Sequence, residues 1–303
     1  MKNILVIGGS GFLGSAIIGE LARRARYTDA CVSVPTRRPE RARHLMVIPA
    51  VRLIAADVHD PLVLAGLMRG QDAVISLVGI LGSAEGEPYG KDFARAHVEL
   101  PRKIAAAATQ AGVRRVVHVS ALQAVADAPS GYLRSKAAGE AVFRAAELDL
   151  TIFRPSVIFG QGDSFLTLFA GLARIAPFFP LASPAARFAP VWVDDVANCV
   201  VDSLTANESI GKSYNLCGPQ QYSLRELVQY ASAVSGHPRM VVGLPDAIAW
   251  LQAWIMEFLP EPPMTRDNLR SMRVDSVCGE GSKLPFGRKA AALEAIAPGY
   301  LAP

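Results

Sequence analysis

The feature that most constrains the fold is a glycine-rich turn between an apolar run and a helical pattern at the start of the chain. Residues 4–7 are typical of a buried strand, and residues 15–21 are typical of a helix. The glycines between them fit both G-x-G-x-x-G and G-x-x-G-x-x-G. Such a turn lets the backbone approach a pyrophosphate, and the helix start offers unpaired N–H groups to its charge. The sequence therefore predicts a dinucleotide-binding unit, with an ordinary glycine-rich loop as the alternative.

The glycines of the turn have separate predicted roles. Gly8 makes the tight turn, Gly11 admits the phosphates, and Gly14 lets the helix pack on the strand. The predicted cofactor contacts in this segment are Gly8, Gly9, Ser10, Gly11, Phe12, Leu13 and Gly14.

The first half of the chain alternates strand and helix patterns. Strands are predicted near 31–34, 51–56, 73–78, 115–120 and 150–153, and helices near 60–69, 92–111 and 132–147. This alternation predicts an α/β fold, a doubly wound parallel Rossmann sheet with helices on both faces. After residue 155 prolines cluster and short elements replace the alternation. We therefore predict a Rossmann domain over 1–155 and a smaller substrate lobe over 156–303, partly interleaved with the Rossmann core.

Composition and charge narrow the function classes. The 303 residues carry a net charge of +4, and no basic run with interleaved aromatics predicts binding to nucleic acid. The four cysteines are far apart and form no C-x-x-C pair, which predicts reduced thiols and argues against a disulfide framework. No metal site or histidine triad is expected, because the five histidines are scattered. No export signal or membrane-spanning run is recognised, so we expect a cytoplasmic protein, with a peripheral position at the inner face of a membrane left open.

The end of the second predicted strand indicates which nucleotide binds. In this fold that position meets the adenosine ribose, where an acid favours NAD and an arginine accommodates a 2′-phosphate. Arg37 and Arg38 stand there without an acid at the strand end. Guanidinium groups pair with phosphate bidentately. The pattern favours NADP(H), leaves NAD(H) open, and has a solvated basic loop as its alternative.

Two further strand ends supply candidate cofactor contacts. Asp57, with Val58 beside it, ends the third strand and is positioned to accept a hydrogen bond from the adenine amino group. A helix cap or turn residue is the alternative for Asp57. Val78 and Gly79 end the fourth strand and are expected beneath the cofactor, although a plain turn also explains the glycine.

A tyrosine and a lysine on one helical face provide the candidate acid/base pair. Tyr132 and Lys136 are spaced i and i+4, so they share a face of the predicted helix. A tyrosine beside a lysine suits proton transfer that accompanies hydride transfer. We expect Lys136 to lower the pKa of Tyr132 and to hold the ribose hydroxyls.

The chain resembles the short-chain dehydrogenase/reductase superfamily in its extended and atypical branches. The glycine turn, Asp57 and the Tyr132/Lys136 pair carry this resemblance over the first half. The segments at 153–166, 190–197 and 263–268 narrow it. They look like the subfamily named for the NADPH-binding accessory subunit of respiratory complex I, including its free-standing bacterial members. The resemblance extends over nearly the whole chain.

The resemblance implies a tightly held NADP(H) but does not settle catalysis. It places the nicotinamide near Pro155, Ser156 and Val157. In the mitochondrial subunit the nucleotide is thought to be structural. Catalytic members place a hydroxyl after the fifth strand, and in many of them it lies two residues beyond the first serine. Here Ser120 is that first serine and Leu122 occupies the second position, so Ser120 is either catalytic or structural.

Three functions remain open from the sequence. The first is an oxidoreductase for a small or apolar carbonyl or alcohol, or for a quinone-related substrate. The second is a non-catalytic NADPH-binding accessory or assembly protein linked to respiratory complex I or quinone metabolism. The third, a nucleotide-sugar epimerase or dehydratase, is weaker, because the second half is rich in Phe, Pro and Ala rather than polar.

An apolar stretch at 246–259 suggests a contact surface. Trp250, Trp254 and Phe258 share one stripe of the predicted helix, and its other faces are also largely apolar. The helix either packs on the second lobe or meets a hydrophobic partner, a membrane face or a lipid-like substrate.

Overall fold

The computed structural model describes residues 1–25, 31–260, 262–279 and 281–302. A seven-stranded sheet forms its centre, and shorter two-stranded sheets and helices form a second lobe. The strands are β1 (Asn3–Ile7), β2 (Cys31–Thr36), β3 (Val51–Ala55), β4 (Ala73–Ser76), β5 (Arg115–Val119), β6 (Asp149–Pro155), β7 (Ile158–Phe159), β8 (Phe178–Leu181), β9 (Arg187–Phe188), β10 (Val191–Trp192), β11 (Ser213–Leu216), β12 (Tyr222–Ser223) and β13 (Met240–Gly243).

The helices cover both faces of the sheet and build most of the second lobe. They are α1 (Phe12–Ala25), α2 (Pro61–Met68), α3 (Lys91–Phe93), α4 (Leu100–Ala111), α5 (Gly131–Arg144), α6 (Leu166–Ile175), α7 (Val193–Ser203), α8 (Leu224–Val234), α9 (Asp246–Met256), α10 (Arg266–Ser271), α11 (Leu293–Ile296) and α12 (Pro298–Leu301). A π-helix over Ala94–Glu99 joins α3 to α4, and 3₁₀ turns occupy Pro39–Leu45 and Asn207–Ser209.

The central sheet is parallel throughout and has the order β3-β2-β1-β4-β5-β6-β11. The predicted α/β class and doubly wound parallel sheet are confirmed. The strand order reverses between β1 and β4, and ligands of such folds bind in the crevice at the carboxyl ends of the strands there. The turns that follow β1, β2, β3 and β4 carry the predicted cofactor residues, so the topology brings them to one edge.

The sheet also uses residues from the second half of the chain. The strand β11 pairs with β6, which the periodicity did not predict, because its four residues, Ser213–Leu216, are too few for their polar–apolar alternation to stand out. The buried side chains of Val196 and Val200 in α7 pack in one cluster with Ile17 and Leu21 of α1. Residues beyond 155 therefore add a strand and a helix to the core around the central sheet, and the predicted division into two interleaved lobes near residue 155 stays a prediction.

The predicted helix over 92–111 is interrupted by the π-helix. One extra residue per turn widens the backbone here, and such bulges are frequent at functional sites. The widened turn carries His97, and a Cβ added to Gly139 of α5 would lie only 2.1 Å from the His97 carbonyl oxygen. The two helices therefore touch through their backbones at this point.

The helix α9 is buried on one side only. Its short residues Ala249 and Ala253 are buried in a cluster with Ala182 and Leu269, so the helix packs closely there. Large apolar side chains face away from that contact and are exposed: Ile248, Leu251, Trp254, Ile255, Phe258 and Leu259. No helix in the described part of the chain is long and apolar enough to cross a membrane.

The expectation of four reduced cysteines is wrong. Cys217 and Cys278 form a disulfide, while Cys31 and Cys199 are free. The partners are 61 residues apart and meet because the end of β11 lies beside the segment after α10. Their sequence spacing carries no signal of this contact. Among the described residues, no three or more His, Cys, Asp or Glu side chains are grouped so that they could hold a metal ion.

Candidate nucleotide-binding and active site

The glycine turn after β1 is tightly packed except at Gly11. Gly8 has φ +87°, a conformation that side chains rarely adopt, and a Cβ on Gly9 would lie 2.9 Å from Ile18 Cδ1. A Cβ on Gly14 would lie 2.5 Å from the carbonyl oxygens of both Gly8 and Gly9. Gly14 thus lets α1 pack on the turn itself. Gly11 is exposed, and the nearest atom to an added Cβ is the Gly8 oxygen at 3.4 Å, so this residue leaves the approach to the turn open.

The start of α1 suits a pyrophosphate. The helix begins at Phe12 and has no acidic residue in its first turn, so its first amide groups present uncompensated positive ends. Ser10, Phe12 and Leu13 are half-buried around this point. A Cβ on Gly160 would lie 3.6 Å from Phe12 Cζ, which shows that the loop after β7 approaches the turn. The residues present fit a dinucleotide: the turn would hold its diphosphate, and the nucleotide would supply the hydride.

The predicted adenosine-binding residues lie at the ends of two neighbouring strands. Thr36 of β2 pairs with Ala55 of β3, so the residues that follow each strand leave the sheet side by side. Arg37 and Arg38 are exposed there. One carboxylate oxygen of Asp57 accepts a hydrogen bond from the His59 N–H group at 3.0 Å, which is a turn-forming role. The predicted adenine contacts of Asp57 and of the half-buried Val58 stay predictions.

The same corner contains two further cationic side chains, Arg95 and Lys103, which the sequence pattern did not single out. Burial lowers the pKa of His59, and the positive charges of Arg95, Lys103 and Arg37 lower it further. Lys103 also donates to the His59 carbonyl oxygen at 2.7 Å. The four side chains come from four separate segments of the chain, so no local sequence motif predicts that they lie together. The corner is therefore electropositive, as an anionic phosphate requires.

The candidate acid/base pair lies on the first turns of α5. Lys136 is buried, and its Nζ donates to the carbonyl oxygen of Val119 at the end of β5 at 2.9 Å. Burial lowers the pKa of Lys136 to about 8. Tyr132 is half-buried, and its ring packs edge-on against Phe93 and His97, with centroids 6.0 and 5.6 Å away.

The predicted lowering of the Tyr132 pKa is wrong for the protein without nucleotide. Desolvation by burial raises the pKa of Tyr132 to about 12, because the surrounding side chains disfavour the phenolate. The phenol is therefore protonated at neutral pH and is able to donate a proton. A neutral phenol is the form that gives its proton to a carbonyl oxygen, although the raised pKa makes Tyr132 a weaker acid than an exposed tyrosine.

Gly79 and Lys136 face each other across the site. A Cβ added to Gly79 would lie 3.9 Å from both Lys136 Nζ and His97 Nε2. The exposed Gly79 thus leaves the space above the lysine open, while Val78 beside it is half-buried against the apolar core. The end of β4 and the acid/base helix therefore border one site.

His97 connects the elements of this site. Its Nε2 accepts from the Ile80 N–H group at 3.0 Å, so Nδ1 carries the proton and donates to Ser135 Oγ at 2.8 Å. Ser135 in turn donates to the Tyr132 carbonyl oxygen at 2.7 Å. Burial and the charge of Lys136 lower the pKa of His97 to about 3, so it is neutral. Sequence reasoning missed this role, because His97 was one of five scattered histidines.

The hydroxyl group after β5 belongs to Ser120. Leu122 is buried in the apolar contact with Cys217 and Cys278. The amide of Gln123 donates to the Asp275 carbonyl oxygen at 3.0 Å, so it is directed to the second lobe. Ser120 Oγ is buried and has no hydrogen-bond partner among the described residues. A buried hydroxyl without a partner is costly, and an oxygen of a bound ligand would satisfy it.

The segment after β6 meets the second lobe. Pro155 is buried and pairs with Leu216 of β11, and Val157 is half-buried. The Ser156 hydroxyl donates to the Ser276 carbonyl oxygen at 2.6 Å and accepts from the Ala189 N–H group at 3.2 Å. This hydroxyl therefore fixes the segment after β6 to Ala189 and Ser276, and the predicted proximity of the segment to the nicotinamide stays a prediction.

Two pockets of the described structure are relevant. One of about 280 Å³ lies between the loop after β4, the start of α5 and the ends of α9 and α10, and its lining includes Phe93, Gly131, Arg134, Glu257, Asp267 and Arg270. A second, of about 480 Å³, lies in the second lobe and has a polar lining that includes Arg187, Gln221, Ser223, Arg225 and Glu226. The second lobe is thus less uniformly apolar than its composition suggests.

Comparison with known proteins places this geometry in context. Residues 8–166 match the model of a family described as NAD(P)H-binding. The chain is 30% identical over 278 residues to the mitochondrial NADH dehydrogenase [ubiquinone] 1 alpha subcomplex subunit 9 of Mus musculus, covering 90% of this chain and 72% of that protein. It is 28% identical to the ceramide reductase of Caulobacter vibrioides, covering 83% and 78% of the two chains. The solved NADPH-dependent quinone oxidoreductase QOR2 from Escherichia coli, complexed with NADPH, has the same fold, with a TM-score of 0.76, 18% identity and coverage of 98% and 99%.

Proposed function

Since the chain belongs to the NAD(P)H-binding family and is related to subunit 9 of the NADH dehydrogenase alpha subcomplex, we propose that it is an NADP(H)-dependent oxidoreductase of the atypical short-chain dehydrogenase/reductase type. Its substrate is a small or apolar carbonyl compound, or a quinone. Bound NADPH would supply the hydride, and Tyr132 donates the proton to the substrate oxygen. The products are NADP⁺ and the alcohol or quinol.

Three observations carry this proposal: the fixed ammonium group of Lys136, the unpartnered hydroxyl of Ser120, and the position of Tyr132 one turn before Lys136 on α5. Lys136 Nζ is fixed on the carbonyl oxygen of Val119, which directly precedes Ser120. The unpartnered hydroxyl of Ser120 is available to a substrate oxygen, and the phenol of Tyr132 is protonated at neutral pH. A hydrogen-bond donor at the reacting oxygen and a proton donor are the groups that carbonyl reduction needs.

The preference for NADP(H) rests on charge at the adenosine corner. Arg37 and Arg38 are exposed beside Asp57, and Arg95 and Lys103 add positive charge close to His59. A 2′-phosphate adds negative charge that guanidinium groups bind bidentately. Solved proteins of the same fold hold NADPH, as QOR2 does, or NAD, so the proposed preference rests on these charges alone.

The apolar character of the substrate rests on the second lobe. Glu257, which directly follows α9, lines the 280 Å³ pocket, so the carboxyl end of α9 lies beside that pocket. Trp254 and Phe258 on that face pack edge-on with ring centroids 5.3 Å apart. We expect this face, around Trp250 and Trp254, to meet a hydrophobic partner or a membrane surface that presents the substrate. The related ceramide reductase, whose name denotes a lipid substrate, supports an apolar substrate.

The test is turnover of the purified protein. Any retained nucleotide is identified first, and NADPH oxidation is then followed with aldehydes, ketones and short-chain quinones. The proposal predicts oxidation of NADPH by at least one class and loss of that activity in Tyr132→Phe. Tight NADPH binding with no turnover over the panel would contradict it.

That second outcome is the one an accessory protein would give. The 30% identity with subunit 9 over 90% of the chain favours this candidate, in which NADPH is held without turnover in an assembly linked to respiratory complex I or quinone metabolism. Its expected signature is a large loss of thermal stability when the nucleotide is removed, because a ligand that binds only the folded state stabilises it.

A nucleotide-sugar epimerase or dehydratase is a third, weaker candidate. The polar pocket with Arg187 and Arg225 favours it, because guanidinium groups bind diphosphates. Thermal shift with UDP-glucose tests it: stabilisation lost in Arg187→Ala and Arg225→Ala supports this candidate, and no stabilisation excludes it.

A further inference from the structure

The first turn of α5 is held by a carboxylate from the second lobe. Asp267 of α10 accepts hydrogen bonds from the N–H groups of Gly131 at 2.7 Å and Tyr132 at 2.9 Å. Ser130 accepts from the Leu133 N–H group at 3.2 Å. The first three amide groups of the helix therefore all have side-chain acceptors. A carboxylate at this end is also favoured by the helix dipole.

The helix α10, which carries this carboxylate, is held by a cap at its start and by contacts with α9 and with the loop after β4. Thr265 and Asn268 form a reciprocal capping box at its start. Arg266 pairs with Glu257 at the end of α9, with 2.8 Å between Nη2 and Oε2. Asn268 also donates to the Leu81 carbonyl oxygen in the loop after β4 at 3.1 Å. The segment 265–268, which the sequence analysis singled out without a role, thus joins α9, the β4 loop and α5.

The backbone of the first turn of α5 is closely packed. A Cβ added to Gly131 would lie 3.3 Å from Tyr89 Cα and 3.4 Å from Asp267 Oδ1, so the backbone there is enclosed. The ring of Tyr132 is bounded by His97, whose hydrogen bond through Ser135 ends on the Tyr132 carbonyl oxygen. The N–H group of Tyr132 is fixed by Asp267 and its carbonyl by Ser135.

We propose that Asp267 is a positioning residue for Tyr132. It acts through the backbone of the first turn of α5 and sets where the phenol stands relative to Lys136 and Ser120. The substrate lobe therefore places the proton donor as well as lining the pocket, since Asp267 itself borders the 280 Å³ pocket. The catalytic consequence rests on the proposed function, in which Tyr132 delivers the proton.

The placement is tested by NMR on tyrosine-labelled protein with bound NADPH. The Cζ resonance of Tyr132 is identified by its loss in Tyr132→Phe. In Asp267→Ala we expect this resonance, its titration midpoint and its ring contact with His97 to change. In Asp267→Asn, which keeps the shape but only one acceptor oxygen, we expect a smaller change. Asp202→Ala is the control, because it removes a carboxylate of the same half of the chain, which pairs with Arg24 and Arg288, without touching α5.

Catalysis is the second readout. With a quinone or carbonyl that turns over, kcat should fall by about 100-fold in Asp267→Ala while KM and NADPH affinity stay close to wild type, because misplacement of a reacting group acts on the chemical step. Asp202→Ala should lower thermal stability and leave kcat unchanged. Asp267→Glu should not rescue, because its longer side chain does not fit between α10 and the enclosed turn.

Folded Asp267→Ala protein with a wild-type Tyr132 resonance and titration would overturn the proposal. If that variant does not fold, Asp267→Asn is judged by the same criterion. The NMR result does not depend on turnover. A protein in which Tyr132 moves with Asp267 but no variant oxidises NADPH would therefore contradict the proposed function and leave the positioning role intact.

Discussion

Gly79 lies against the ammonium group of Lys136: a Cβ added to the glycine would be 3.9 Å from Nζ. This distance is an ordinary van der Waals contact, so Gly79→Ala should fold and bind NADPH almost normally. A leucine would fill the space above Lys136, where the ribose hydroxyls are expected. We predict that Gly79→Leu weakens NADPH binding about tenfold or more, because the ligand meets an occupied space.

Calorimetric titration with NADPH measures this effect. Gly66→Leu in α2 is the matched control, because an added Cβ meets nothing within 4 Å at Gly66. If Gly79→Leu and wild type bind NADPH with equal affinity, the nucleotide does not lie against Gly79.

Lys136 makes the stability of the nucleotide-free protein depend on pH. Burial lowers its pKa from 10.5 to about 8. Between these values the unfolded chain binds a proton that the folded chain does not, so the free energy of unfolding rises with pH through this window. The gain is up to about 3 kcal/mol relative to a variant without the lysine.

Urea unfolding of wild type and Lys136→Met at pH values across that window isolates this contribution, since other groups titrate equally in both proteins. Lys91→Met, at an exposed lysine, is the control and should follow wild type. Parallel curves for wild type and Lys136→Met would contradict the burial of a titrating lysine.

Arg37 and Arg38 should decide between the two nucleotides. In the double variant Arg37→Ala/Arg38→Ala we predict that NADPH affinity falls by about 10- to 100-fold while NADH affinity changes little, because each charge-assisted hydrogen bond to the 2′-phosphate contributes about 1.5–3 kcal/mol. Arg69→Ala, an exposed arginine at the end of α2, should leave both affinities unchanged. An unaltered preference in the double variant would assign the two arginines to a solvated loop.

The disulfide between Cys217 and Cys278 should stabilise the fold. It closes a loop of 61 residues, and cross-links of this kind contribute about 2–4 kcal/mol. We predict that Cys217→Ser/Cys278→Ser lowers the unfolding free energy by this amount and that a reductant then has no further effect. Counting thiols in the unreduced, unfolded wild type should give the two free cysteines, Cys31 and Cys199, and finding all four thiols would contradict the cross-link.

Local patterns in the sequence predicted the parts of the site that adjacent residues build. The glycine turn is recognisable because Gly8, Gly11 and Gly14 act within one strand–turn–helix unit. The Tyr132/Lys136 pair is recognisable because both residues lie on one helix. For the same reason the parallel sheet followed from apolar strands that alternate with helices.

Local sequence patterns could not predict contacts between segments that are far apart in the chain. Asp267 meets the α5 backbone across 136 residues, and the disulfide joins residues that no spacing rule pairs. The strand β11 is only four residues long, which is too short for its alternation to stand out. Burial raises the pKa of Tyr132, whereas the neighbouring lysine was expected to lower it. Burial depends on the folded environment, which the sequence pattern does not contain.

The central claim is that Tyr132 donates the proton during NADPH-dependent reduction. The most direct measurement compares wild type with Tyr132→Phe, in both NADPH affinity and the rate of NADPH oxidation with a carbonyl or quinone substrate. The variant should bind NADPH as wild type does and lose turnover by about 100- to 10,000-fold, because a positioned general acid contributes that much. Turnover retained in Tyr132→Phe at full NADPH occupancy would contradict the account.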